Sequence, residues 1–460
     1  MALAAGEPRA VQAAPPIEWV VRVPGSKSLT NRALVLASMA AGRTRLGLAL
    51  RSQDTDALTE ALSHLGVFVR AIEEAPATGD STGQWPGFDV EGRGGHLPGG
   101  PDVAVNLGDG GTPTRFVMAL AAFACRRVTI DGSARMRERP VADGVELLRA
   151  LGVPVEWGEA PGRLPVTVDG RAGPPAGGTL RVGPLASSQF VSALLLLAPW
   201  MRDGLVVRFD TPPVSRSYIE LTIDELRRWG ASVHEELDEG VLRAVRVEAG
   251  PIPSRGEVLV EPDASSALYW AAAAALVPGS DIILDGLPPA TRQPDREAIE
   301  LLGTMGAELV RCPDGLRVCC SRQAGDRAAP IQGVRASAES CPDGALMLIA
   351  AAAAAHGPSR FEGLSTLRVK ESDRLAAMAD GLRRLGASAR LGDDWIEVDP
   401  IPDGHRVDAV IDPRRDHRVA MSFAILGLRT GGIRIEDPEC VAKSYPRFWD
   451  ALARCERGSR

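Results

Sequence analysis

Positive charge in this 460-residue chain gathers in a few short motifs. They are PGSKSLTNR with Lys27, Ser28 and Arg32, RMRERP with Arg139, LRVKESDR with Lys370, Glu371 and Arg374, DHR with His417 and Arg418, and AKSYPR with Lys443. Guanidinium groups bind phosphate or carboxylate through two parallel hydrogen bonds, and ammonium groups act as mobile point charges. Several motifs stand where an apolar run begins. A helix N-terminus already carries partial positive charge, so cations there are unfavourable unless an anion lies between them and the backbone amides. The pattern points to a site for more than one anionic group. Hydroxyls and acids accompany the bases: Ser187, Ser188 and Gln189 open LASSQF, Asp343 opens CPDGALM, and Glu371 adjoins Lys370. Within a basic site such a carboxylate is a candidate general base, and His417 a candidate proton relay.

The elements that must carry these groups form a repeat. PGSKSLTNRALVLASMA, GDGGTPTRFVMALAAFA, LASSQFVSALLLLAP, PDASSALYWAAAAAL, CPDGALMLIAAAAA and RDHRVAMSFAILGL each join small or polar residues to an apolar run. They recur roughly every 75–85 residues, the length of a βαβ-type unit. Each is followed by an amphipathic segment, such as SYIELTIDELRRWG, and most of these end at Gly, a helix stop signal. Short β-type runs come next, including VFVRA, VPVEW and AELVRC. The reading is six βαβ-like units with two kinds of helix, the first apolar all round and buried, the second half exposed. Six units could close into a single barrel, but two globules of three units each suit a chain of this length better.

The net charge of −7 argues against a general nucleic-acid binder, which needs a broadly basic face. The seven cysteines include no CxxC and read as thiols in a reducing compartment, without a metal. The N-terminal residues lack the pattern of a signal peptide, and the apolar runs near Val191–Trp200 and Ala345–Ala355 fall short of the ~20 residues a membrane span needs. A cytoplasmic monomer acting on small molecules is expected, with neither nucleic acid nor membrane as partner.

Taken together, PGSKSLTNRA, GTPTRF, RMRERP, SSQF, DASSA, PD before an Ala-rich run, RVKESDRL, DHRVAMSFA and AKSYP resemble the motifs of the 5-enolpyruvylshikimate-3-phosphate synthase family, in the same order, from about Val20 to Trp449. The resemblance implies an α/β fold, a two-domain inside-out α/β barrel in which each domain holds three βαβαββ units around buried helices. One domain would span 23–260, inserted into another made of 1–22 and 261–460, with the active site in the cleft between them. The implied reaction moves the enolpyruvyl group of phosphoenolpyruvate to the 5-hydroxyl of shikimate 3-phosphate and releases phosphate, on the route to chorismate and the aromatic amino acids. Lys27, Ser28, Arg32, Ser187, Ser188, Gln189, Ser215, Tyr218, Asp343, Thr366 and Lys370 would hold shikimate 3-phosphate. Lys27, Gly111, Arg139, Gln189, Arg374, Arg418 and Lys443 would hold phosphoenolpyruvate, in the site where the family binds glyphosate. Asp343 would take the 5-hydroxyl proton and Glu371 would protonate C3, with Lys27 and His417 as further candidates. No metal or organic cofactor is implied.

Three positions depart from the family pattern. Asp109 stands where an Asn is usual, Thr366 where an Asn often contacts the substrate, and Met347 where a Thr is frequent. They support one alternative, a non-catalytic anion-binding relic. The other alternative is the sister family acting on UDP-N-acetylglucosamine, which carries Lys-Asn where this chain has Lys27-Ser28, and a reactive Cys on a mobile loop. The nearest cysteine here, Cys125, is expected inside an apolar helical run.

Overall fold

Each alanine-rich run becomes a helix that water does not reach. The six are Lys27–Met39, Gly111–Ala121, Gln189–Leu197, Ala264–Leu276, Ala345–Ala352 and His417–Thr430. In the computed structural model, which describes residues 7–73, 86–313, 315–320 and 330–458, these helices are buried except at their first residues and at Arg429 and Thr430, the end of the sixth. Ala, Leu and Val suit that place because they leave no polar side-chain group without a partner.

The chain divides into two compact units, Met1–Pro24 with Glu261–Arg460, and Gly25–Val260. In Gly25–Val260 the first three helices contact one another and form the centre of one hydrophobic core. In the other unit the last three helices do the same. Four-stranded sheets cover them. Val103–Asn106 runs parallel to Arg127–Asp131, which pairs antiparallel with Val166–Asp169, which pairs antiparallel with Val155–Trp157. The same order recurs in four other sheets. Along Arg127–Asp131 buried and half-buried residues alternate, the period-two signature of a strand with one face on the core.

Two strands are exchanged along the chain. Glu18–Arg22 precedes the Lys27 helix in sequence but pairs with Asp281–Asp285, which follows the Ala264 helix. Gly256–Leu259 precedes the Ala264 helix but pairs with Ala41–Gly47. The sixth repeat draws a strand from the far end of the sequence: Arg9–Val11 pairs antiparallel with Ile433–Ile435.

The second helices are half-buried, as their pattern requires. Arg216–Trp229 buries Ile219, Ile223, Leu226 and Trp229, and Trp229 donates from Nε1 to Glu225 Oε1 at 2.8 Å. It stops at Gly230, whose φ of 96° is open to glycine at little cost. Cys125 differs from its expected place. The helix ends at Ala121, and Cys125 lies in the bend beyond it at a φ of 47°. That bend turns the chain so that Arg126 can donate to the carbonyls of Pro98 and Gly99.

Because the cores are built on these helices, Leu36, wholly buried in the Lys27–Met39 helix, is a direct test. Leu36→Ala is expected to cost about 2–5 kcal/mol of stability, read by urea denaturation, and a loss below about 1 kcal/mol would contradict the packing described.

Candidate active site

In the unit that includes Glu261–Arg460, one guanidinium gathers three acids. Arg374 opens the Arg374–Arg384 helix and is 1% exposed. Its Nε lies 2.8 Å from Asp416 Oδ2, its Nη1 2.7 Å from Asp343 Oδ1, and its Nη2 2.8 Å from Glu371 Oε2. Asp416 caps the His417–Thr430 helix by accepting from Arg418 N at 3.0 Å, and also accepts from Ser372 Oγ at 3.2 Å. Arg418 reaches Asp343 Oδ2 at 3.0 Å, and Lys443 reaches Glu371 Oε1 at 3.3 Å. Asp343, Glu371, Arg374, Arg418 and Lys443, far apart in sequence, thus form one buried network.

Burial alone would raise the Asp343 carboxyl, but Arg418, then Lys370 and Arg374, outweigh burial and hold it well below the usual aspartate range. Burial likewise pulls the Arg374 guanidinium down, and Asp416, Glu371 and Asp343 more than restore it, so its pKa is raised. Asp343 does not cap its helix. The Ala345–Ala352 helix begins after Gly344 with no side-chain cap, and the Asp343 carboxylate turns to the two guanidinium groups instead.

His417 is the buried first residue of its helix, between Asp416 and Arg418. Lys370 is half-buried and follows the 3-10 turn Ser365–Val369 that carries Thr366. The Thr366 Oγ1 is buried without a hydrogen-bond partner among the described residues, and Met347 is core. Two acids absent from the sequence reading complete the network. One is Asp416, which the DHR motif contains. The other is Asp295, buried just before the Arg296–Thr304 helix, with Oδ2 at 3.7 Å from Arg418 Nη1.

Gly25–Val260 holds a second set. Arg32 lies in the second turn of its helix, fully inside the protein. It donates to Thr222 Oγ1 at 2.9 Å, to the Ser28 carbonyl at 3.0 Å and to the Tyr218 carbonyl at 3.0 Å. Burial draws its pKa down to about 10, against the pull of Tyr218 and Glu225. These hydrogen-bond acceptors are neutral, and the buried Glu225 carboxylate is an anion of the same unit that acts on the guanidinium charge. Thr222, braced by Ser192 Oγ at 3.0 Å, was not evident from sequence, because only packing of the Arg216–Trp229 helix brings it to Arg32. Lys27 pairs with Asp54 at 3.2 Å, another acid the motifs did not reveal.

Gln189 donates from Nε2 to Thr112 Oγ1 at 2.9 Å, which ties the start of its helix to the residue after Gly111. Ser187 Oγ accepts from Gln189 N at 3.3 Å, and Ser188 is buried at the helix start with no cap bond of its own. A Cβ on Gly111 would come within 2.5 Å of Arg139 Nη1, so glycine there lets the buried Arg139 guanidinium lie against the helix start. Asp109 accepts a hydrogen bond from Ser133, whose Oγ also accepts from Met136 N at 3.1 Å, in the turn that leads to Arg139. Ser215 precedes its helix at a φ of 50°, in the left-handed region. Such backbone is costly for a non-glycine residue and is concentrated at functional sites.

Residues 11–452 match the family described as EPSP synthase (3-phosphoshikimate 1-carboxyvinyltransferase). Among curated relatives, a 3-phosphoshikimate 1-carboxyvinyltransferase of Methanoculleus marisnigri is 37% identical over 437 residues, covering 95% of this chain and 96% of the relative. One of Shewanella amazonensis is 33% identical, with 95% and 96% covered. Among solved structures, EPSP synthase of Acinetobacter baumannii superposes with a TM-score of 0.76 at 26% identity over 99% of both chains. The enolpyruvyl transferase NikO of Streptomyces tendae shares the fold, with a TM-score of 0.71 at 17% identity over 98% of both chains.

The three-acid junction makes a stability prediction. Arg374→Gln leaves Asp416, Asp343 and Glu371 without their common cation and is expected to cost about 3–5 kcal/mol, read as a lowered denaturant midpoint. A change within about 0.5 kcal/mol, typical of an exposed ion pair, would contradict a buried junction.

Proposed function

The chain belongs to the EPSP synthase family, and from that premise we propose that it transfers the enolpyruvyl group of phosphoenolpyruvate to the 5-hydroxyl of shikimate 3-phosphate with the residues described above. The observation that carries the assignment is Asp343, an ionised carboxylate gripped by Arg374 and Arg418 beside Glu371, itself between Arg374 and Lys443. Such a cluster provides what the chemistry requires, cations for anionic substrates and carboxylates for proton transfer.

In this reading Arg374, Arg418 and Lys443 hold phosphoenolpyruvate, together with Lys27, Gly111, Arg139 and Gln189. Lys27, Ser28, Arg32, Ser187, Ser188, Gln189, Ser215, Tyr218, Thr366 and Lys370 hold shikimate 3-phosphate. Asp343 takes the proton of the 5-hydroxyl as that oxygen bonds to C2 of phosphoenolpyruvate, and Glu371 delivers a proton to C3. The tetrahedral product of that addition returns a proton from C3 to Glu371 and breaks its C2–O bond to phosphate, which leaves with the proton held by Asp343, so that the enol ether and inorganic phosphate result. Without substrate, the cations hold Asp343 ionised. An arriving anion takes a share of Arg374 and Arg418, so their hold on Asp343 weakens and it gains affinity for the 5-hydroxyl proton. His417 supports this set from the first turn of its helix. The small-molecule substrates need no nucleic acid or membrane, and we place the enzyme in the cytoplasm as a monomer, where its seven free cysteines suit a reducing environment.

The test is phosphate release from the two substrates by the purified chain, with Asp343→Ala beside it. Turnover of the variant is expected to fall by about 10²–10⁴ while shikimate 3-phosphate still binds. Near-normal turnover in the variant removes Asp343 from the base role, and no phosphate release by the unaltered chain overturns the assignment.

A further inference from the structure

Asp295 lies against Arg418 and against the residue that follows Asp343, the two ends of the Asp343–Arg418 ion pair. On one side its Oδ1 accepts from Gly344 N at 2.9 Å, the amide directly after Asp343. On the other its Oδ2 lies 3.7 Å from Arg418 Nη1. Its Oδ2 also accepts a hydrogen bond from Ser265 Oγ, and Ser265 Oγ in turn accepts from Arg418 Nη2 at 3.4 Å. The carboxylate therefore joins the start of the Arg296–Thr304 helix to three of the element starts that carry the site: Ser265 at the Ala264–Leu276 helix, Gly344 before the Ala345–Ala352 helix, and Arg418 in the His417–Thr430 helix. Glycine at 344 permits this approach. A Cβ there would meet Ala298 Cβ at 2.7 Å and Asp295 Oδ1 at 3.0 Å. The residue is 2% exposed, and it does not cap its own helix.

We propose that Asp295 is a positioning residue that aims the Arg418 guanidinium at phosphoenolpyruvate by holding it back from full engagement with Asp343. This rests on the assignment of Arg418 to phosphoenolpyruvate made above. Without the Asp295 charge, Asp343 is the stronger attractor for Arg418, and the guanidinium turns from the ligand to the base. Affinity for phosphoenolpyruvate falls, while that for shikimate 3-phosphate, held by other groups, does not.

The charge of Asp295 is itself sensitive to pH. Burial pushes its carboxyl up to about 6; Arg418 opposes the rise, Asp343 adds to it, the Ser265 hydroxyl opposes it and Asp263 adds to it. Tyr269 and Cys341, from the Ala264 helix and the segment before Asp343, also feel its charge. A raised carboxyl is neutral below its pKa and charged above it, so the restraint on Arg418 is present near neutrality and lost in acid.

Asp295→Asn keeps the size of the side chain and removes the charge. Steady-state kinetics of the full chain should show KM for phosphoenolpyruvate raised about tenfold near pH 8, with KM for shikimate 3-phosphate within about twofold. The ratio of variant to wild-type KM for phosphoenolpyruvate should fall toward one near pH 5, where the wild-type group is also neutral, and the ratio cancels the ligand's own ionisation. Both KM values rising together, or a ratio that does not depend on pH, overturns the proposal. Should Asp295→Asn not fold, Ser265→Ala decides. It removes the hydroxyl shared by Asp295 and Arg418, and an unchanged KM for phosphoenolpyruvate counts against the proposal, while a selective rise supports it. Inactivity of the wild-type chain would overturn the functional reading instead. Where Asp295→Asn folds, its crystal structure decides the positioning: Arg418 displaced from Ser265 supports it, and Arg418 unmoved contradicts it.

Discussion

One buried cation sets the terms for the acids around it. Arg374 is almost wholly removed from water, a costly place for a charge unless it is paired and hydrogen-bonded. Its planar fork meets Asp343, Glu371 and Asp416 along different edges, which a lysine ammonium could not do with the same geometry. Each of the three acids has a further duty. Asp416 caps the helix that bears His417 and Arg418, Asp343 faces Arg418, and Glu371 faces Lys443. The position of one guanidinium thus constrains the start of a helix, a candidate base and a candidate proton donor.

The fold makes such a junction possible by bringing helix starts together. Within each unit three apolar helices share a core and sheets occupy the outside, so the helices are fixed along their length and only their first residues can vary in polarity. Chemistry is placed at those first residues. Ser265, Gly344, Arg418 and the adjoining Asp343 all lie there in one unit, as do Lys27, Gly111 and Gln189 in the other. Unsatisfied backbone N–H groups at these starts add a background favourable to anions. Three of the six, at Gly111, Gln189 and Ala345, carry no side-chain cap among the described residues.

Much of this is legible in sequence because the signals are local. The apolar runs, the amphipathic segments with their terminal glycines and the short β runs each announce their element, and six βαβ-like units with buried helices follow from their repetition, while the inside-out α/β architecture is what the family resemblance implies. The basic residues are legible because cations at a helix start contradict the local electrostatics. Their partners are not. Asp295, Asp54, Thr222 and Ser192 stand in stretches whose local pattern names no partner, and only tertiary packing gives them their neighbours. The exchange of Glu18–Arg22 and Gly256–Leu259 between sheets is likewise invisible to a local pattern, since each strand precedes a helix whose next strand it does not join. Cys125 was misplaced for a related reason. Its apolar context continues past the helix, which stops after Ala121 with no glycine to mark the end.

The account turns on the balance of charge at Asp343. Carbon-13 NMR of aspartate side-chain carboxyls, with Asp343→Asn and Asp295→Asn samples to assign the two signals, measures it directly. The balance described here predicts that Asp343 stays ionised well below the usual aspartate range while Asp295 titrates at about 6. An Asp343 signal that titrates at or above the ordinary aspartate value of about 3.9 would contradict it.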